Sequence, residues 1–231
     1  MSKSVRNKTA FILLLFVLIS CQIVMGASFT EQLFLGLESE MGSTWLRGDS
    51  WTQVQDQYGM DGQFSFSGNV QLFVNWEIHQ YLYLETSLGL GGSSVQFSNP
   101  RIHFEQSVSQ PEWSFKVLGG GQISLGPIGL WMTAGPTLTI LSGNVNNQQS
   151  GQSTSIPASK FYDQTMLWGL LAKAGLRFPM TGGEWILGAS ISTHLNRYFS
   201  SSDLYMSNFS VLIGYRYNLN SLVQEFKKIT L

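Results

Sequence analysis

Residues 167–179 read LWGLLAKAGLRFP. The run is apolar enough to seek lipid or a core, yet Lys173 and Arg177 stand inside it. A helix is a poor reading. Gly169, Gly175 and Pro179 each weaken one, and the run is shorter than the roughly 20 apolar residues of a membrane helix. Read with the two-residue repeat of a strand, the stretch sorts itself. Met166, Trp168, Leu170, Ala172, Ala174, Leu176 and Phe178 share one face, and Leu167, Gly169, Leu171, Lys173, Gly175 and Arg177 share the other. One face is free of charge, and both cations sit with small residues on the opposite side.

The same alternation returns along the chain, in segments near 31–42, 62–76, 80–92, 112–125, 128–141, 184–198 and 203–217. In the second, Phe66, Val70, Leu72, Val74 and Trp76 alternate with Ser65, Ser67, Asn69, Gln71 and Asn75. In the fifth, Pro136 interrupts the ladder or marks a bulge. Connections alternate between long and short. The stretches 43–62, 95–111 and 142–159 read as long polar loops, whereas Glu77-Ile78-His79, Gly126-Pro127 and the segment from Pro179 to Gly183 read as short turns. Eight strands with short turns on one side and long loops on the other describe an antiparallel up-and-down barrel.

Composition points to lipid. Charged residues make up 12% of the chain, about half the usual quarter for a soluble protein. Residues 1–28 resemble an export signal: Lys3, Arg6 and Lys8 precede an apolar run from Ala10 to Ser20, and Gly26, Ala27 and Ser28 follow it. Two cleavage readings stand. Ordinary signal peptidase would cut near Ala27. Alternatively, Leu18-Ile19-Ser20-Cys21 resembles a lipobox that would lipidate Cys21. Ordinary cleavage is favoured because the apolar run continues through Ile23, Val24 and Met25. Beyond the leader there are ten cations, fourteen acids and no cysteine. That leaves no disulfide framework, no thiol nucleophile and no basic patch for nucleic acid.

Which face looks outward follows from what lies on each. The polar faces hold mostly Gly, Ser, Thr and Asn, unlike a solvated surface of Lys and Glu. The apolar faces end in aromatics: Trp76, Phe178, Trp185 and Tyr217 toward the short turns, and Phe64, Trp113 and Tyr205 toward the loops. Aromatic girdles at both interfaces anchor a transmembrane barrel. With the apolar face outward, Lys173 and Arg177 point into the lumen and need counter-charges there. The same strand phase supplies Glu38, Glu40 and Glu85, with Lys116 and Arg216 as further cations. An eight-stranded barrel is about wide enough for side chains to fill it. The expected architecture is therefore an all-β, eight-stranded transmembrane barrel over 29–217, with a polar, side-chain-filled interior and a short tail at 218–231.

Leader, alternating strands, unequal connections and a last strand ending VLIGYRYNL (211–219) resemble the small outer-membrane β-barrel proteins of Gram-negative-type bacteria, of the OmpX, OmpW and OmpA-barrel kinds. Gly214-Tyr215-Arg216-Tyr217 resembles the aromatic-rich end that the family's insertion machinery reads, although the chain here runs on to Leu231. The resemblance implies an outer-membrane location, with membrane lipids and the insertion machinery as partners. It also implies a non-enzymatic structural or surface-interaction role through the extracellular loops. Trp45, Trp51 and Tyr58 in the first loop are the candidates for touching an extracellular ligand. Passage of a small or apolar solute through the lumen is the alternative function. A lipid-modifying enzyme and a soluble lipocalin-like binder rank lower.

No cofactor or metal is expected. His79, His103 and His194 show no metal-ligand spacing. His194 shares a face with Ser192, but no third member of a catalytic triad is placed, so a hydrogen-bonded interior histidine is the preferred reading.

Overall fold

The computed structural model describes residues 33–59, 61–63, 65–99, 102–149, 152–200 and 203–219. The expected leader with Cys21, the girdle residue Phe64 and the tail beyond 219 lie outside the described residues. The described chain forms, in order, β1 (Leu33–Arg47), α1 (Asp49–Tyr58), β2 (Asp61–Gln63), β3 (Ser65–His79), β4 (Leu82–Asn99), β5 (Phe104–Leu125) and β6 (Ile128–Leu141). It continues with β7 (Asn144–Gln149), β8 (Gln152–Pro157), α2 (Ala158–Phe161), β9 (Met166–Met180), β10 (Gly183–His194) and β11 (Tyr205–Asn218).

Eight of these strands close a ring. Each of β1, β3, β4, β5, β6, β9, β10 and β11 pairs antiparallel with the next, and β11 returns to β1 with Leu35 opposite Tyr217 and Met41 opposite Val211. Closure matters because it leaves no strand edge whose N–H and C=O groups would go unpaired in lipid. The tight connections lie on one side. Gly126 and Gly182 take φ angles of 66° and 84°, in the left-handed region where a side chain would strain the turn.

Strands form where the alternation predicted them, and β6 spans the expected 128–141. Pro136 produces no bulge. The β5–β6 register is the same on either side of it, from Lys116 opposite Thr137 to Gly119 opposite Ala134. Pro136 is meanwhile paired with Leu170 on β9. Proline lacks one donor, and here that loss leaves the register intact.

The loop side departs from expectation. Within 95–111, residues 95–99 and 104–111 are not a loop but the upper part of a β4–β5 hairpin, paired without a break from Leu82 opposite Gly121 to Asn99 opposite Phe104. Much of 142–159 is a second hairpin, β7–β8, which docks on β5 through Ser109 opposite Asn146 and Gln106 opposite Gln149. Within 43–62, β1 runs on to Arg47 and α1 follows, closed by Gly59 with its amide donating to the Gln55 carbonyl. The reason is physical. Above a membrane both faces of a ribbon can be wet, so the apolar–polar alternation fades although the backbone ladder continues.

The two faces differ as expected. Leu37, Leu72, Val117, Met132, Leu187 and Val211, one from each of six strands, all point outward and are exposed. Glu38, Gln71, Glu85, Lys116, Lys173 and Arg216 are buried inside. The interior is layered rather than uniformly polar. Phe73, Trp131, Ile186 and Leu212 form an apolar cluster toward the short turns. Val95, Leu141, Val145, Leu167, Tyr198 and Met206 form another at the loop end. Phe73 fits inside because Gly36 faces it, where even a methyl group would overlap the ring.

Candidate functional site: a filled lumen under a structured mouth

The centre of the lumen is held by ion pairs that span it. Lys173 on β9 has a fully buried side chain, with Nζ 2.6 Å from Glu38 on β1 and 3.1 Å from Glu85 on β4. A third carboxylate, Glu40, stands 3.6 Å away. Lys116 on β5 contacts both Glu40 oxygens at 3.1 Å. Gln71 on β3 donates its amide to Glu38 and, at 3.2 Å, to Glu40, while accepting from the Ser87 hydroxyl. Strands β1, β3, β4, β5 and β9 are thus tied across the interior. Buried charges are tolerated only when paired and hydrogen-bonded, and this set is both.

A second group lies toward the short turns. Arg216 is 1% exposed. Its guanidinium meets Glu184 at 2.6 Å and Glu77 at 2.8 Å, donates to Asn75 at 3.2 Å, and sits 4.0 Å from the Phe34 ring centre. Arg177 differs from expectation. Among the described residues no carboxylate forms an ion pair with it. It donates instead to Gln122 and lies 4.6 Å and 5.7 Å from the ring centres of Tyr83 and Trp131. Aromatic faces can carry a guanidinium's charge where no acid is at hand. Glu77 and Glu184 were not singled out in the sequence because both stand at turn-side strand ends, where alternation carries least information.

Between the ion pairs and the loop-end cluster lies a polar cavity of about 50 Å³, bordered by Glu40, Asn69, Ser114, Lys116, Thr139 and His194 among others. That is room for a few waters on polar partners. His194 is buried and bonded to the Thr139 hydroxyl at 3.3 Å and to the Tyr198 hydroxyl at 3.0 Å. Its ring nitrogens are therefore engaged with residues other than Ser192. Among the described residues no cluster of His, Cys, Asp and Glu could hold a metal ion.

The aromatics occupy the rims. Trp185 is exposed on β10 and packs edge-on against Tyr215 at 5.3 Å. Trp76, Phe178 and Tyr217 are partly exposed near the same turns. Trp113 is exposed on β5, and Tyr205 starts β11 with the Arg47 guanidinium 5.3 Å from its ring. Trp45 is not a loop residue. It lies in β1, two residues before the end, in phase with outward-facing Leu37 and Met41, and is exposed on the outer face. Trp51 lies in α1 with its ring 5.6 Å from Phe97. Tyr58 closes α1, and its side chain lies outside the described residues.

A closed sheet that is apolar outside and ion-paired inside is built for lipid, not water, because only a closed barrel or a helix satisfies every backbone group there. This chain is a transmembrane β-barrel. Its architecture is that of a small eight-stranded antiparallel barrel whose apolar belt suits a bilayer. No protein-family model matches the sequence, and no curated protein does. Among solved structures it is similar to Ail, the attachment invasion locus protein of Yersinia pestis, at 14% identity over 80% of this chain and 99% of that one, with a TM-score of 0.40. It is also similar to the outer membrane protein OprG of Pseudomonas aeruginosa at 10% identity, 80% and 95% coverage and a TM-score of 0.47. The outer membrane enzyme PagL matches at 12% identity, 78% and 97% coverage and a TM-score of 0.40.

On the loop side the barrel carries its own fastenings. Asp163 accepts the Ser200 amide and hydroxyl, both at 2.7 Å. These bonds favour the ionised carboxylate and hold its pKa below the usual value. This tie therefore persists at neutral pH and is lost only as the pH falls through that lowered value. Arg197 and Asp203 form an exposed pair at 2.6 Å, which adds little stability.

Proposed function

We propose that the barrel is a non-enzymatic surface protein of the outer membrane, exported by its leader, that works through its loop-side structure rather than by passing solutes. The observation that supports this reading is the central ion-pair set. Lys173 is held by carboxylates from β1 and β4, so the lumen is crossed by charged bonds instead of a free path. Above it, the chain invests its loop side in paired ribbons, β4–β5 and β7–β8, that stand clear of the belt. The β7–β8 ribbon is polar and uncharged, suited to hydrogen bonding with an external surface. His194, engaged by Thr139 and Tyr198, offers no base to Ser192, which favours a role without catalysis.

Two linked results are expected. In planar bilayers the refolded chain gives no stable unit conductance, and steps of constant size would count against a filled lumen. In cells, replacing residues 144–157 by a two-residue turn abolishes adherence to host-cell or matrix surfaces while the barrel still folds. Adherence that is unchanged by the replacement would remove the surface role from this ribbon.

A further inference from the structure

We propose that the loop-side mouth of this barrel contains a binding pocket for a small uncharged aromatic molecule bearing one hydroxyl, of the phenol class. The pocket is a half-enclosed cavity of about 250 Å³ at the top of the lumen. Its walls come from five separate parts of the chain: Leu46 at the end of β1, Val95 and Phe97 on β4, Val108 on β5, and the two connections around Phe161 and Phe199. Among the described residues no charged side chain lines it. An apolar cleft with a few polar groups at one side is the usual form of a small-ligand site.

Size and wall chemistry select the ligand. A cavity of about 150 Å³ lined by apolar side chains already accepts benzene. The space here, about 250 Å³, suits one substituted ring. The rings of Phe161, Tyr162, Tyr198 and Phe199 meet one another at 42–79° between planes and 4.8–6.1 Å between centres. Tilted and edge-to-face contacts are what aromatic rings prefer, and a further ring extends such a cluster. The Trp51 ring of α1, 5.6 Å from Phe97, backs this wall from outside.

The polar side of the pocket is formed by Ser93, Gln106 and Gln110. Gln110 is 4% exposed. Its amide nitrogen donates to the carbonyls of Pro111 and Ser142 at 2.6 and 2.7 Å. Its amide oxygen is buried with no partner among the described residues. A buried acceptor left without a donor is costly, and a ligand hydroxyl entering at this side would supply one after a small shift of the amide. A carboxylate would bring charge into an apolar pocket and set oxygen against oxygen. The site is a dead end. Tyr198 and Met206 belong to both the pocket and the apolar cluster at its floor, and the ion pairs lie deeper.

The test uses the full barrel in lipid nanodiscs, with empty nanodiscs as the blank, and fluorine NMR of para-fluorophenol and para-fluorobenzoate at neutral pH. The expected result is broadening and shift of the phenol line that depends on the barrel, with no such effect on the benzoate. Val108→Trp fills the pocket from its wall and is expected to weaken phenol binding at least about tenfold, while the barrel keeps its heat-dependent gel mobility. Should Val108→Trp fail to fold, Leu204→Trp, which fills the same space from outside the barrel ring, gives the same readout. Equal binding by the wild type and the filled variant, equal binding of the benzoate, or no barrel-dependent binding would overturn the proposal.

Discussion

Replacing Lys173 by methionine is expected to cost about 3–5 kcal/mol of stability, the usual penalty for removing one partner of a buried ion pair. Three carboxylates converge on this side chain, at 2.6, 3.1 and 3.6 Å. Without it Glu38 and Glu85 lose their cation, and Lys116 answers only Glu40. Methionine keeps most of the volume, so the loss reads charge rather than packing. The triple variant Lys173→Met, Glu38→Gln, Glu85→Gln removes both sides of the imbalance and is expected to recover more than half of the lost stability. Urea unfolding of the refolded chain in lipid vesicles, followed by tryptophan fluorescence, measures both. A single variant within about 0.5 kcal/mol of wild type, the range of an uninvolved surface change, would mean that the ion pairs do not hold the lumen.

The second large effect lies on the opposite face. Val211→Arg is expected to destabilise the barrel by about 2–4 kcal/mol, the cost of a cation on the lipid face near the bilayer midplane. Val211 is 55% exposed, midway along β11, opposite Met41 on one side and Ala189 on the other. In a water-facing strand such a position would accept arginine within about 0.5 kcal/mol. Gln96→Arg provides that comparison. Gln96 is exposed on the part of β4 that stands above the belt, and a change within about 0.5 kcal/mol is expected there. The same unfolding experiment separates the two. Equal small effects at both positions would place water, not lipid, against Val211.

How much of this was legible beforehand depended on what a strand writes into its sequence. Alternation survives wherever one face meets lipid and the other meets the lumen, and in LWGLLAKAGLRFP it groups Lys173 and Arg177 on one face, where both are buried. Phase does not specify register. That Glu38 would meet a lysine 135 residues away is decided by strand tilt and by how the ring closes, which no local pattern records. Several aromatics, Phe73 and Trp131 among them, also break the rule that rings face outward. Phe73 is admitted by the space at Gly36, and Trp131 donates its indole N–H to the Leu176 carbonyl at 3.3 Å. Arg177 looked as though it needed an acid and found Gln122 and two rings instead.

The loop side was the least legible part. Pro111, Asn99 and the Ser and Gln residues of 93–99 and 104–110 have the composition of a loop, yet they pair residue for residue. The pocket at the mouth was unreadable for a related reason, because its walls come from β1, β4, β5 and the connections near Phe161 and Phe199, which only the closed ring brings together.

The central claim is that the sheet closes with its apolar face to lipid. Gel mobility of the mature chain, refolded in detergent and run in SDS with and without boiling, tests it most directly. A folded transmembrane barrel resists SDS, so the account predicts a distinct apparent size before heating that collapses to the unfolded position afterwards. The same mobility before and after boiling, from a chain that stays soluble without detergent, would contradict it and turn the apolar face inward.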